Sequence, residues 1–124
     1  MEFDDKVPIY YQIEEYIRQQ IISGQLAAGA QVPAVRQLAL DLTVNVNTIQ
    51  RALSHLVQTG VLVSKRGLGN FVTTDAHVLA ALRTAAIQAP LAQLYDRLAA
   101  LNLTADEMRA ALETYIAQRE KESE

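Results

Sequence analysis

Residues 34–60 read AVRQLALDLTVNVNTIQRALSHLVQTG, and two helices joined by a tight turn can be read from that run alone. Val35, Leu38, Ala39 and Leu42 recur at i, i+3, i+4 and i+7, so their side chains fall on one face of a helix, predicted over 34–42. Ile49, Ala52, Leu53, Leu56 and Val57 repeat the pattern and predict a longer helix over 46–58. Asn45 is the expected N-cap of the second helix, because its side-chain oxygen can accept the amide of Asn47 or Thr48. Gly60 suits the left-handed residue that ends such a helix. Only Thr43, Val44 and Asn45 separate the pair, which is the spacing of a helix-turn-helix.

Beyond Gly60 the period changes from helical to two. Val61, Val63 and Lys65 alternate with Leu62 and Ser64 as a strand, Arg66-Gly67-Leu68-Gly69 follows as a turn, and Asn70-Phe71-Val72-Thr73 returns as a second strand. On the N-terminal side, Ile9, Ile13, Tyr16, Ile17 and Ile21 predict a helix over 9–22, with Pro8 in its first turn and Gly24 as its stop. The connector 25–33 holds Gly29 and Pro33 and room for a brief strand around Val32. Three helices followed by a hairpin is the order of a winged helix-turn-helix, expected to occupy residues 1–75.

Residues 76–124 return to helical spacing. Leu79, Leu82 and Ala86 continue one stripe, and Leu91, Leu94, Tyr95, Leu98 and Leu101 form another. Pro90 lies between them, and a proline inside a helix costs about 3 kcal/mol, which predicts a kink or break near Ala89. Thr104 and Glu107 have the spacing of a capping box, opening a last helix with Met108, Ala111, Leu112, Tyr115 and Ile116 as its apolar face. The expected fold is therefore mainly α with a small β-hairpin, in which 76–124 is a short helical dimerisation segment. Two helices cannot bury both stripes by themselves, and their inward residues should close an interface rather than enclose a ligand pocket.

Composition narrows the function. The chain has 124 residues, half of them apolar, with 20% charged residues and no cysteine, so disulfides and thiolate metal sites are excluded. Its first residues carry Glu2, Asp4 and Asp5 instead of the basic start of a signal peptide, and no apolar run reaches the roughly 20 residues of a membrane helix. These features lead to the expectation of a cytoplasmic protein. There is no histidine pair, phosphate-cradling glycine loop or cluster with metal-ligand spacing, so neither catalysis nor a cofactor is expected. His55 and His77 have no evident carboxylate partner and read as ordinary surface histidines. The net charge of −3 is unevenly placed: Arg36, Arg51, Lys65 and Arg66 face Asp41 alone within residues 36–66.

That local excess of positive charge coincides with the two-helix motif. The start of a recognition helix lies in the major groove of DNA while the preceding helix braces it. Asn45 and Asn47 can pair with adenine, Thr48 with phosphate or a thymine methyl, and Arg51 with guanine or phosphate. Arg36 opens the preceding helix, and Tyr10 can pack or touch phosphate at the start of the first. At the hairpin, Lys65 and Arg66 are candidate contacts to phosphate or the minor groove, and Gly67 allows the backbone a close approach. The rival reading is a winged-helix protein-interaction module without sequence-specific DNA binding.

Four runs carry a family resemblance: Pro8-Ile9-Tyr10-Tyr11-Gln12-Ile13 with Ile22-Ser23-Gly24-Gln25-Leu26; Val32-Pro33-Ala34-Val35-Arg36-Gln37-Leu38-Ala39; Val44-Asn45-Val46-Asn47-Thr48-Ile49-Gln50-Arg51-Ala52-Leu53; and Gly67-Leu68-Gly69-Asn70-Phe71-Val72. Together they resemble the GntR-type regulators over residues 7–73, and the short remainder resembles the YtrA-type branch. The resemblance implies binding to double-stranded operator DNA and homodimerisation, with regulation most simply by repression at a palindromic site. It names no effector. The chain departs from the family pattern at Ala34, where serine is common, at Val46, where arginine or proline is usual, and at Gln50, where arginine is common.

Overall fold

The computed structural model describes residues 2–123; Met1 and Glu124, the outer ends of the two expected domains, lie outside the described residues. Its elements are α1 (Ile9–Ile22), α2 (Val35–Leu42), α3 (Val46–Gln58), β1 (Leu62–Lys65), β2 (Gly69–Val72), α4 (Ala76–Ala100) and α5 (Ala105–Glu122). The chain divides into two compact units, Met1–Arg83 and Thr84–Glu124.

In the first unit, α1 and α2 both pack on α3, and α3 packs on β1. The apolar periods of the three helices meet in one core: Ile13, Ile17 and Ile21 from α1, Leu38 and Leu42 from α2, and Ile49, Ala52, Leu53 and Leu56 from α3. Val32, Val61, Leu62 and Val72 close it from the connector and hairpin, and Val78, Leu79 and Leu82 of α4 cover its edge. Burying such an aliphatic side chain contributes roughly 1.5–3 kcal/mol, so this unit has a core of its own.

Local chemistry sets the element ends. Pro8 stands just before α1 instead of inside it, and Gln12 ties down the preceding segment by donating to the carbonyls of Asp4 (2.7 Å) and Val7 (2.8 Å). The turn after α2 places Thr43 in the left-handed region at φ +55, with the Val44 amide donating back to the Ala39 carbonyl at 3.0 Å. Asn45 caps α3 as expected, its Oδ1 accepting the Asn47 amide at 2.7 Å, and α3 ends at Gln58, two residues before Gly60 at φ +83.

The hairpin pairs β1 with β2 in antiparallel register, Leu62 opposite Val72 and Lys65 opposite Gly69. Gly69 thus belongs to the strand, and the loop shortens to Arg66, Gly67 and Leu68. The brief strand expected around Val32 is a single bridge of Gln31 to Phe71. The Val32 amide donates to the Asn70 carbonyl and the Val72 amide to the Ala30 carbonyl, both at 2.8 Å.

Of the kink or break expected near Ala89, the break is overturned: α4 runs from Ala76 to Ala100 with Pro90 inside. Proline removes one amide and crowds the carbonyl four residues before it, but Ala85, Ala86, Gln88, Ala89, Leu91 and Ala92 are strong helix formers that carry the helix across the gap. α5 opens on the expected capping box: the Glu107 amide donates to Thr104 Oγ1 at 3.2 Å and the Thr104 amide to Glu107 Oε1 at 2.9 Å. No residue of α4 or α5 is buried. Leu94, Leu98, Ala111, Leu112 and Tyr115 line an apolar groove of about 290 Å³ between the two helices.

Candidate nucleic-acid interface

The orientation of α3 decides which side chains are available. At 100° per residue, Asn47, Gln50, Arg51 and Ser54 fall opposite Ile49, Ala52, Leu53 and Leu56, and all four are exposed. Thr48 sits half-buried at the margin of that face. Of the residues expected here, Asn47 and Arg51 are therefore central and Thr48 is peripheral. Gln50 and Ser54 were not among the expected site residues, yet they share the face and are joined by a hydrogen bond from Gln50 Nε2 to Ser54 Oγ at 3.4 Å. The signal that finds them is helical spacing, three and seven residues on from Asn47.

Asn45 is exposed, but its Oδ1 is engaged in capping α3. A bidentate adenine contact needs both the oxygen and the nitrogen of the amide, so the cap leaves Asn45 mainly its Nδ2 donor. Asn47 has no such commitment among the described residues. Tyr10 is half-buried against the core, and the Arg51 guanidinium lies over its ring, 3.8 Å from the centroid. Stacking uses the face of the guanidinium and leaves its in-plane N–H fork open to an anion, so Tyr10 aims Arg51 without neutralising it.

The hairpin repeats this device. Lys65 Nζ lies 4.4 Å from the centroid of the Phe71 ring, held by an aromatic face instead of a carboxylate. Beyond it, the Leu68 amide donates to the Lys65 carbonyl at 2.9 Å, closing a turn whose third residue is Gly67 at φ +76. That conformation favours glycine, and it puts Arg66 at the exposed end of the hairpin. Arg36 is exposed at the second residue of α2.

Among the described residues, none of Arg36, Arg51, Lys65 and Arg66 forms an ion pair. Arg18, Arg109 and Arg119 each lie against a carboxylate. Lys6, Arg83, Arg97 and Lys121 also have no ion pair among the described residues, so what sets the four apart is that α2, α3 and the hairpin carry them with no carboxylate against any of them.

A second departure from the sequence reading lies between α1 and α3. His55 has a carboxylate partner after all: its Nδ1 is hydrogen-bonded to Oε1 of the fully buried Glu14, which also accepts from Arg18 at 3.2 Å. Glu14 Oε2 has no partner among the described residues. Forty-one positions separate Glu14 from His55, and only the packing of the two helices joins them.

The family model described as "Bacterial regulatory proteins, gntR family" matches residues 9–72. The uncharacterized HTH-type transcriptional regulator YhcF of Bacillus subtilis is 31% identical over 114 residues, 92% of this chain and 94% of that protein. The HTH-type transcriptional repressor YtrA of the same organism is 32% identical over 69 residues, 56% of this chain and 53% of that protein. Among solved structures, a GntR family transcriptional regulator from Listeria monocytogenes matches with a TM-score of 0.78 and 32% identity, over 90% of this chain and 98% of its own. The DNA-binding domain of AraR in complex with operator ORR3 matches with a TM-score of 0.53 and 33% identity, over 59% of this chain and 86% of its own.

Proposed function

Taking as premise that this chain belongs to the gntR family of bacterial regulatory proteins, we propose that it is a cytoplasmic homodimeric repressor that binds a palindromic operator. In this reading residues 1–75 bind DNA and 76–124 dimerise. The carrying observation is the set of unpaired cations, Arg36, Arg51, Lys65 and Arg66, distributed over α2, α3 and the hairpin. In the proposed complex α3 enters the major groove, Asn47 reads a base edge, Arg51 and Thr48 meet phosphate or base, and Lys65, Arg66 and Gly67 lie along the backbone or minor groove. Arg36 joins from α2, Asn45 orients the helix start, and Tyr10 steers Arg51.

Dimerisation is supported by apolar surface that the C-terminal helices leave open. Ile87, Leu91, Leu94 and Tyr95 on α4 and Leu112, Tyr115 and Ile116 on α5 are each 38–58% exposed. A contiguous apolar surface of this kind marks a protein contact, and a two-fold contact would present two recognition helices to two half-sites. Bound over a promoter, such a dimer represses by occlusion.

The test is selection of bound duplexes from random DNA by the full chain with excess competitor, followed by sedimentation of free and bound protein. A recovered inverted repeat bound by two chains is the expected result. Recovery of no preferred sequence would favour the protein-interaction module instead.

A further inference from the structure

The unpaired cation at the hairpin end sits on a loop that the backbone by itself holds poorly. Arg66, Gly67 and Leu68 form three residues between short strands, and Gly67 and Gly69 on either side of Leu68 both have positive φ, +76 and +111. The turn has one backbone hydrogen bond of its own, from the Leu68 amide to the Lys65 carbonyl. Such a loop samples many conformations unless something outside it holds it.

Gln31 supplies the outside hold. It lies on the connector before α2, far from the loop in sequence, and is brought alongside β2 by its bridge to Phe71. From there its Nε2 donates to the Leu68 carbonyl at 2.6 Å, the only side-chain hydrogen bond that reaches the loop among the described residues. Gly69 eases its passage: a Cβ there would stand 3.3 Å from Gln31 Nε2, close enough that the amide would have to shift by a few tenths of an ångström. The antiparallel register puts Gln31, Phe71, Gly69 and Lys65 on the same side of this three-ply ribbon. Gln31 and Lys65 therefore work on one surface, one holding the loop and the other resting on Phe71.

We propose that Gln31 is a positioning residue for DNA binding, acting through the hairpin loop: its hydrogen bond to Leu68 preorders the loop that presents Arg66. This inference rests on the reading that the hairpin meets DNA. A loop already ordered in the free protein loses less freedom on binding, and that difference appears as affinity.

The experiment is a double-substitution cycle with the full chain and a duplex it selects from random DNA, using Gln31→Ala and Arg66→Ala. Gln31→Glu serves as a second variant that keeps the shape but removes the donor. A single exposed hydrogen bond sets the scale, so Gln31→Ala and Gln31→Glu should each weaken binding by about three- to tenfold. Neither should have any effect once Arg66 is already alanine. In the free protein, the Gly67 and Leu68 amides should lose order in nuclear relaxation measurements while the melting temperature falls by only a few degrees. Normal affinity in the Gln31 variants, or effects that multiply with Arg66→Ala as two independent DNA contacts would, overturns the role of Gln31 and leaves the hairpin contact standing. Normal affinity for Arg66→Ala alone overturns the Arg66 contact and the inference with it, while Lys65 can still hold the hairpin to DNA.

Discussion

α3 and α5 are both helices with an apolar stripe, and the structure treats them in opposite ways. α3 buries Ile49, Ala52, Leu53 and Leu56 against two other helices and a strand, whereas α5 buries nothing and leaves Leu112, Tyr115 and Ile116 in the open. Their charges are opposite in treatment too. Arg51 on α3 rests on an aromatic ring without a carboxylate, while Arg109 and Arg119 on α5 are paired with Asp106 and Glu122. The first region is complete in its packing and keeps its arginine off any carboxylate; the second leaves its apolar stripe open and pairs two of its three cations. In the proposed complex a different partner completes each, a polyanion for one and apolar surface for the other.

The largest expected effect tests the packing half of this contrast. Leu53→Ala removes a side chain that is 1% exposed and should lower stability by about 2–5 kcal/mol, measured by denaturant unfolding. Leu101→Ala, in the turn that leads to α5 and 69% exposed, should stay within about 0.5 kcal/mol. Equal effects would dissolve the distinction between the two regions.

Next in size is the apolar partner that the proposed dimer supplies. In that dimer, Leu94→Asp combined with Leu112→Asp should give a monomer in sedimentation and weaken operator binding by about 100-fold, because two half-sites are no longer held together. A double variant that remains dimeric places the contact elsewhere.

The electrostatic half gives a smaller and more diagnostic change. Arg51→Ala should reduce affinity by about tenfold and flatten the log–log salt dependence by roughly 0.9 per subunit if the lost contact is to phosphate. Arg109→Ala, which removes a paired cation, should change neither. A normal salt slope in Arg51→Ala would mean that its guanidinium meets a base or no DNA at all.

The smallest effect concerns how α5 begins. Hydrogen bonds from the Thr104 backbone and side chain hold the Glu107 carboxyl below its ordinary value of 4.5. A carboxyl lowered in the folded state gives support that is full above the ordinary value and fades as pH falls through the folded one. Helix content should therefore drop slightly more on acidification below about pH 4.5 than in Glu107→Gln, whose amide does not titrate in this range. Identical acid profiles in circular dichroism would show that the box contributes nothing measurable.

The elements were readable because their causes are local. A period of 3.6, an Asn at a cap, a Thr and Glu three apart and a glycine after a helix each act within a few residues, so α1, α2, α3, the hairpin and the capping box of α5 stand where the sequence puts them. Pro90 pointed to a break that does not occur because its penalty is local while the propensity that overcomes it is spread over the residues on both sides. In the candidate site, the exposed face of α3 followed from phase, and extending that phase finds Gln50 and Ser54. Nothing local announces that Arg51 lies on Tyr10, that Gln31 reaches Leu68, or that His55 meets Glu14. These pairs are 41, 37 and 41 residues apart, and only the finished packing brings them together.

The Glu14–His55 pair has a consequence for arrangements the chain does not adopt. Glu14 is fully buried, but the His55 side chain is 49% exposed, so water screens the pair from one side. A pair of this kind adds little to the depth of the native well. It raises the walls around it, since any rotation or slide of α3 on α1 that withdraws His55 leaves Glu14 enclosed without its cross-helix partner. In the proposed complex, where α3 must be held at one angle, the value of that carboxylate lies in the neighbouring conformations it disfavours.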